Sequence, residues 1–167
     1  FDHHAPRWDT FGPPAASILA RMADLPDTLG LHPGDDLLEV GCGTGGLTAF
    51  LADRVAPGRV LACDFSPGMI AQAARRNLPV ELRLADMCRP GLLLGQFDIV
   101  LFKHVFPHFR DPHTALVNAR NALNPDGRLI VLHLNGREKI NALHDKAAGP
   151  IAGDHIPHPD HWPAMLD

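Results

Sequence analysis

The chain has 167 residues and a mass of 18.1 kDa, the size of one domain, and residues 1–167 are read as a single unit. At 46 % hydrophobic and 20 % charged residues it is neither a disordered tail, a collagen-like fibre nor a coiled coil. The formal net charge of −4 argues against a nucleic-acid partner, which ordinarily selects a basic excess, and no apolar run nears the roughly 18 residues of a membrane span.

Residues 1–12 mix polar and aromatic side chains (Phe1, His3, His4, Trp8, Asp9, Phe11) and read as an irregular arm. Pro13 and Pro14 suit a first helical turn, and Ile18, Leu19, Met22 and Leu25 follow at helical spacing. A regular alternation then begins. Leu37 to Val40 is a short apolar run, and Leu47, Phe50, Leu51 and Val55 have helical spacing. Val60 to Cys63 is a second strand, Pro67 opens a helix through Met69, Ile70 and Ala73, and Val80 to Leu84 is a third strand. Phe97 to Phe102 is a fourth, and Pro112 starts a helix carrying Leu116, Val117, Ala119 and Leu123. Asn124-Pro125-Asp126-Gly127 predicts a turn, Leu129 to Leu134 a fifth strand and Arg137 to Lys146 a helix; Gly149 to Pro163, rich in proline and histidine, reads as a loop. Short strands alternating with helices mean βαβ units and a parallel sheet, whose doubly buried strands appear as continuous apolar runs.

The segment Glu39-Val40-Gly41-Cys42-Gly43-Thr44-Gly45-Gly46 follows the first strand and opens a helix. Glycines let the chain turn sharply and let a ligand approach the main chain. In an open α/β sheet, the crevice beyond the strand ends is where ligands sit. Gly41-x-Gly43-x-x-Gly46 with Asp64 downstream satisfies a dinucleotide fingerprint, so the pattern alone admits NAD as well as S-adenosylmethionine. Glu39 leans toward the second, because a carboxylate there opposes a pyrophosphate and suits a cationic amine and a sulfonium. Asp64 is placed to accept two ribose hydroxyls, or else to cap the helix at Pro67. Asp86 is placed to accept from an exocyclic amine, with Met87 against a purine face.

Leu38 to Gly45 resembles the first motif of class I S-adenosylmethionine-dependent methyltransferases, and Leu61-Ala62-Cys63-Asp64-Phe65-Ser66-Pro67-Gly68-Met69 resembles their second. Phe97-Asp98-Ile99-Val100, Asp111-Pro112 and Leu123 to Gly127 resemble later motifs of the small-molecule branch, which includes the ubiquinone and menaquinone C-methyltransferases. The resemblance covers residues 1–148. It implies a doubly wound Rossmann-like parallel sheet in strand order 3-2-1-4-5. It further implies that Gly41, Cys42 and Gly43 line the methionine portion of S-adenosylmethionine. On the same ground Asp64 holds the ribose, Phe65 and Met69 flank the adenine, and Asp86 and Met87 clamp its amine. Lys103 falls where the family's backbone meets the methionine moiety. Ala5-Pro6-Arg7-Trp8-Asp9 resembles the lid segment, with Trp8 where tyrosine is usual. Lys103-His104-Val105-Phe106 departs from the family and is not an Asn-Pro-Pro-aromatic motif, so methylation of DNA amines is not expected. Nor do Cys42, Cys63 and Cys88 form the thiol trio of arsenite methyltransferases.

The expected activity is methyl transfer from S-adenosylmethionine to a small molecule. The alternatives are an NAD(P)-dependent oxidoreductase and a non-catalytic adenosyl-ligand-binding protein. If the nucleophile must lose a proton, His104, His108 and His144 are the candidate bases, since histidine titrates near neutrality. His133 reads instead as a satisfied strand histidine, and Asn141 and His144 share one helix face. His155, His158 and His161 lie among prolines, so no regular helix gathers them on a metal. The cysteines are too few and scattered for a disulfide framework and suit a reducing, cytoplasmic setting. A fifth strand without charge or proline makes an exposed edge. The native chain is therefore expected to continue by several tens of residues, with two further strands against that edge.

Overall fold

The computed structural model describes residues 1–11, 15–23, 25–149 and 151–166. Pro13 and Pro14, expected to open the first helix, lie outside the described residues. Five strands form one parallel sheet: β1 (Leu37–Val40), β2 (Val60–Asp64), β3 (Glu81–Leu84), β4 (Phe97–Lys103) and β5 (Leu123–Leu132), in the order β3-β2-β1-β4-β5. The expected order is thus the observed one. Connections reverse direction between β1 and β4, and the crevice beyond their carboxyl ends is the natural ligand site of such sheets.

The strand period of two sorts β1 onto both faces. Leu38 and Val40 join Leu61, Cys63, Val100 and Phe102 in one core with Ala115, Leu116 and Ala119 of α5 (Pro112–Asn121). Leu37 packs on the other face with Val60, Ile99 and Leu101, against Leu51 and Val55 of α3 (Thr48–Val55). Glu39 has the parity of Leu37, so its side chain is carried to the α3 face inside the protein. α4 (Pro67–Ala74) is capped by Ser66, whose Oγ accepts from Met69 N at 3.1 Å, with Pro67 in the first turn. That makes Ser66, not Asp64, the cap.

Several local expectations are corrected. The amino-terminal arm is a 3-10 helix over Asp2–Thr10, followed by α1 (Ala15–Ala23) and α2 (Pro26–Leu29). The predicted turn at 124–127 lies inside β5: the register steps from Phe97↔Leu123 to Ile99↔Arg128, leaving these residues out of the ladder. Asp98 stabilises the bulge, accepting Asn124 Nδ2 at 2.7 Å. β5 ends at Leu132, so His133 follows the strand instead of belonging to it. α6 (Arg137–Lys146) forms as expected, while the proline-histidine segment contains a 3-10 turn (Pro159–His161) leading into α7 (Trp162–Leu166).

Candidate active site

The turn after β1 is built by backbone that only glycine adopts freely. Gly41, Gly43 and Gly45 have φ of 72°, 58° and 78°. A Cβ on Gly41 would stand 2.7 Å from Cγ2 of Val105, so the turn packs directly on the segment after β4. Gly41 N and Cys42 N both donate to Cys63 O, at 2.8 and 3.0 Å, tying the turn to β2.

Beneath the turn, Glu39 is 1 % exposed, and its Oε2 accepts from Thr48 Oγ1 at 2.6 Å. Burial pushes the Glu39 pKa up, opposed by the Thr48 bond and the charge of Lys103. Burial likewise lowers the Lys103 pKa, and Glu39 counters it. Glu39 and Lys103 line one pocket, together with Trp8, Cys42 and Thr44. Neither Glu39 Oε1 nor Lys103 Nζ has a hydrogen-bond partner among the described residues, and neither is sealed from the pocket. The Cys42 thiol is raised far above its ordinary range and Cys63 to about 12, both by burial, so neither is a thiolate near neutrality.

Asp64, at the end of β2, is 7 % exposed. Its Oδ2 accepts Gly43 N and its Oδ1 accepts Ser66 N, each at 2.9 Å. A carboxylate offers about four lone-pair sites, so capacity for further donors remains. Burial raises the Asp64 pKa and these amides oppose the rise. Phe65 is 52 % exposed beside it. Met69 and Met87, expected on the adenine, are at 1 % and 2 % exposure inside the core, which leaves Phe65 and Leu84, the β3 residue paired with Asp64, as open apolar surface there. Asp86 accepts Cys88 N at 2.9 Å and is paired with the exposed Arg110.

The 3-10 helix lies over this edge. Asp2 Oδ1 accepts Gly68 N at 2.9 Å, and Ser66 Oγ donates to the same oxygen. Asp9 accepts Thr44 Oγ1 at 2.6 Å and pairs with Arg76, whose Nε donates to Thr44 O at 2.7 Å. Trp8 Nε1 comes within 3.5 Å of where a Gly43 Cβ would sit. Trp8 therefore lies against the glycine turn at Gly43 and lines the same pocket as Glu39 and Lys103. The anchoring roles of Asp2, Asp9, Thr44, Thr48 and Arg76 have no counterpart in the sequence reading, because polar residues with long-range partners carry no local signature.

The candidate bases part company. His104 has φ 56°, and its Nε2 accepts Leu134 N at 3.0 Å, so its lone pair is already spent on a turn. Burial, aided by Lys103, drives its pKa down to about 3. The structure thus makes His104 a structural residue. His133 stacks on it at 5.4 Å and 5°, with neither ring nitrogen bonded among the described residues, contrary to the satisfied histidine expected. His144 is 6 % exposed, and its Nδ1 lies 2.5 Å from Asp154 O, which makes it a clamp on that segment. Asn141, on the same face, donates to Ile156 O at 3.2 Å and accepts Ile156 N at 2.8 Å. His108 is different: Nδ1 lies 2.7 Å from Asp154 Oδ2, and Nε2 has no partner among the described residues. His155 pairs with Asp145 and His158 with Asp160. No group of three or more His, Cys, Asp or Glu side chains that could hold a metal ion occurs among the described residues. Among them, too, no helix is long and apolar enough to cross a membrane.

A family model described as a methyltransferase domain matches residues 38–131. Nocamycin O-methyltransferase of Saccharothrix syringae is 35 % identical over 140 residues, covering 80 % of this chain and 48 % of that protein. Demethylmenaquinone methyltransferase of Beutenbergia cavernae is 34 % identical, covering 68 % of this chain and 46 % of that one. A solved DhpI–S-adenosylhomocysteine complex superposes with a TM-score of 0.65 at 29 % identity, over 78 % of this chain and 63 % of that chain. The chain spans about half the length of the two curated relatives described.

Proposed function

This chain belongs to the methyltransferase-domain family, and from that premise we propose that it moves a methyl group from S-adenosylmethionine to a small-molecule acceptor. The carrying observation is the pairing of Glu39 and Lys103 on one pocket over the glycine turn. A buried carboxyl and a half-buried ammonium, each short of partners, complement the two charges of an amino acid: Glu39 takes the α-ammonium and Lys103 the α-carboxylate. Gly41, Cys42 and Gly43 bring the main chain close to that portion. Asp64 offers its remaining lone pairs to the ribose, Phe65 its exposed ring to the adenine, and Asp86 accepts the adenine amine once Arg110 yields. Trp8 closes over the turn.

S-adenosylmethionine is consumed in each turnover, a co-substrate whose sulfonium supplies an electrophilic methyl group. The protein's part is orientation and exclusion of water. The named activities of the relatives support this reading. An oxidoreductase reading is not favoured, since Glu39 sits where a dinucleotide would bring its pyrophosphate. A reducing, cytoplasmic setting belongs to the same proposal, supported by three free thiols.

Calorimetry tests the reading. S-adenosylhomocysteine is expected to bind at micromolar strength and NAD not to bind. Binding of NAD without S-adenosylhomocysteine overturns it.

A further inference from the structure

We propose that Asp154 and His108 form an oriented base on the acceptor side, which removes the proton of a hydroxyl-type acceptor as it is methylated; this rests on the methyl-transfer reading above. Asp154 comes from the proline-histidine segment, forty-six positions from His108, and the two side chains meet at 2.7 Å. A carboxylate on Nδ1 fixes the proton there and leaves Nε2 as the acceptor. His108 is only 16 % exposed, yet Nε2 has no partner among the described residues and is not sealed from solvent. The ring is therefore oriented and desolvated, with its lone pair open.

Its position suits the role. His108 ends the short 3-10 turn Phe106–His108 just beyond β4. Its ring lies 5.7 Å from that of Phe1, which in turn is 5.5 Å from Phe65 and 5.8 Å from Trp8. The imidazole thus borders the aromatic cover over the glycine turn. Asp154 is held for the purpose: His144 grips its carbonyl, and Asn141 grips Ile156 by both N–H and C=O. A carboxylate kept only for solubility needs no such clamp. The titratable groups around His108 are Asp154, His144 from α6, His133 beyond β5 and His104 beyond β4. Burial lowers its pKa and Asp154 opposes the fall, a net direction that favours the neutral ring a base needs.

The step balances as follows. The acceptor O–H proton passes to Nε2 of His108, and the Asp154 carboxylate stabilises the resulting imidazolium. The oxygen electron pair forms the new C–O bond. The C–S bond breaks with its pair returning to sulfur, leaving a neutral thioether. His108 then releases its proton to water. A tertiary amine or a carboxylate needs no such base, and a neutral N–H amine is nucleophilic without one, so a base in this place serves best a hydroxyl, phenol or enol, whose neutral oxygen is a weak nucleophile.

Two measurements test this on the full chain. In ring-labelled protein saturated with S-adenosylhomocysteine, nitrogen NMR should show His108 protonated at Nδ1. Asp154→Asn should lower its titration point, while S-adenosylhomocysteine affinity stays within a few-fold. With a panel of simple phenols, alcohols and amines as acceptors, oxygen methylation should appear, and His108→Gln should cut turnover by about 10²-fold or more. Asp154→Asn should move the acid limb of the pH–rate profile to lower pH. An unmoved His108 titration in Asp154→Asn, full turnover in His108→Gln, or methylation of amines alone each overturns the proposal. Loss of S-adenosylhomocysteine binding by the unaltered chain would instead sink the methyl-transfer reading.

Discussion

Thr48 Oγ1 donates to Glu39 Oε2 at 2.6 Å, joining the first turn of α3 to the centre of β1 where both side chains are buried. This bond partly stabilises a carboxyl that the sheet's alternation forces inside. Replacing Thr48 by Val keeps the shape and removes the donor. The loss should be about 1–3 kcal/mol, the cost of a buried polar group left short of a partner. Urea denaturation of the two proteins checks it, and equal midpoints would show that water or Lys103 takes over.

A pH dependence follows from the same residue. Burial raises the folded-state pKa of Glu39 above its ordinary 4.5. The folded protein therefore holds this proton more tightly than the unfolded chain does. The associated stability is complete below that ordinary value and is lost as pH rises through the folded value. Glu39→Gln keeps the Thr48 bond and removes the titration. Its stability relative to wild type should improve as pH climbs from 4 toward neutrality, about as denaturation curves at several pH values will show. A difference that stays flat across that range would contradict the assignment.

Asp64→Ala should weaken S-adenosylhomocysteine binding by about 2–4 kcal/mol, from one or two charge-assisted hydrogen bonds worth roughly 1.5–3 kcal/mol each. It should also loosen the apo protein, because Asp64 holds Gly43 N and Ser66 N. Calorimetry with thermal denaturation separates the effects, and unchanged affinity would refute the ribose role.

Gly41→Ala meets two obstacles that a second substitution can tell apart. The left-handed φ of 72° costs an L residue about 1–2 kcal/mol, and the new Cβ strikes Val105 Cγ2. Val105→Gly removes both the Cγ2 and the Cβ that the new methyl would strike, at 2.7 and 2.8 Å, and so relieves only the clash. The double variant should recover part of the lost stability but not the backbone share. Complete recovery would mean that the turn relaxes to a negative φ.

Asn141→Ala removes both bonds to Ile156 and should free the 154–156 segment. Hydrogen exchange at the Ile156 amide should quicken by about 10-fold or more, since a lost bond of about 1–1.5 kcal/mol shifts the opening equilibrium by that order. Unaltered exchange would show that His144 alone holds the segment.

The sheet and the glycine turn after β1 were legible in one dimension because their signals are local. Doubly buried strands must be apolar runs such as Leu37 to Val40 and Phe97 to Phe102, and a tight turn between strand and helix must carry glycines such as Gly41 and Gly43. Glu39 stood out beside that turn and Asp64 at the end of the second strand, while Trp8 was picked out only by the resemblance of its segment to the family's lid. Nothing local marks a residue whose partner is distant. The loop reading of 149–163 hid Asp154, which gains its meaning from His108 on the far side of β5 and from the clamp on α6. The three candidate bases were equivalent as letters. Tertiary packing alone gave His104 to a backbone amide, His144 to a carbonyl and His108 to a carboxylate, because a ring's hydrogen-bond partners and desolvation are set by its three-dimensional surroundings and not by its neighbours in the chain.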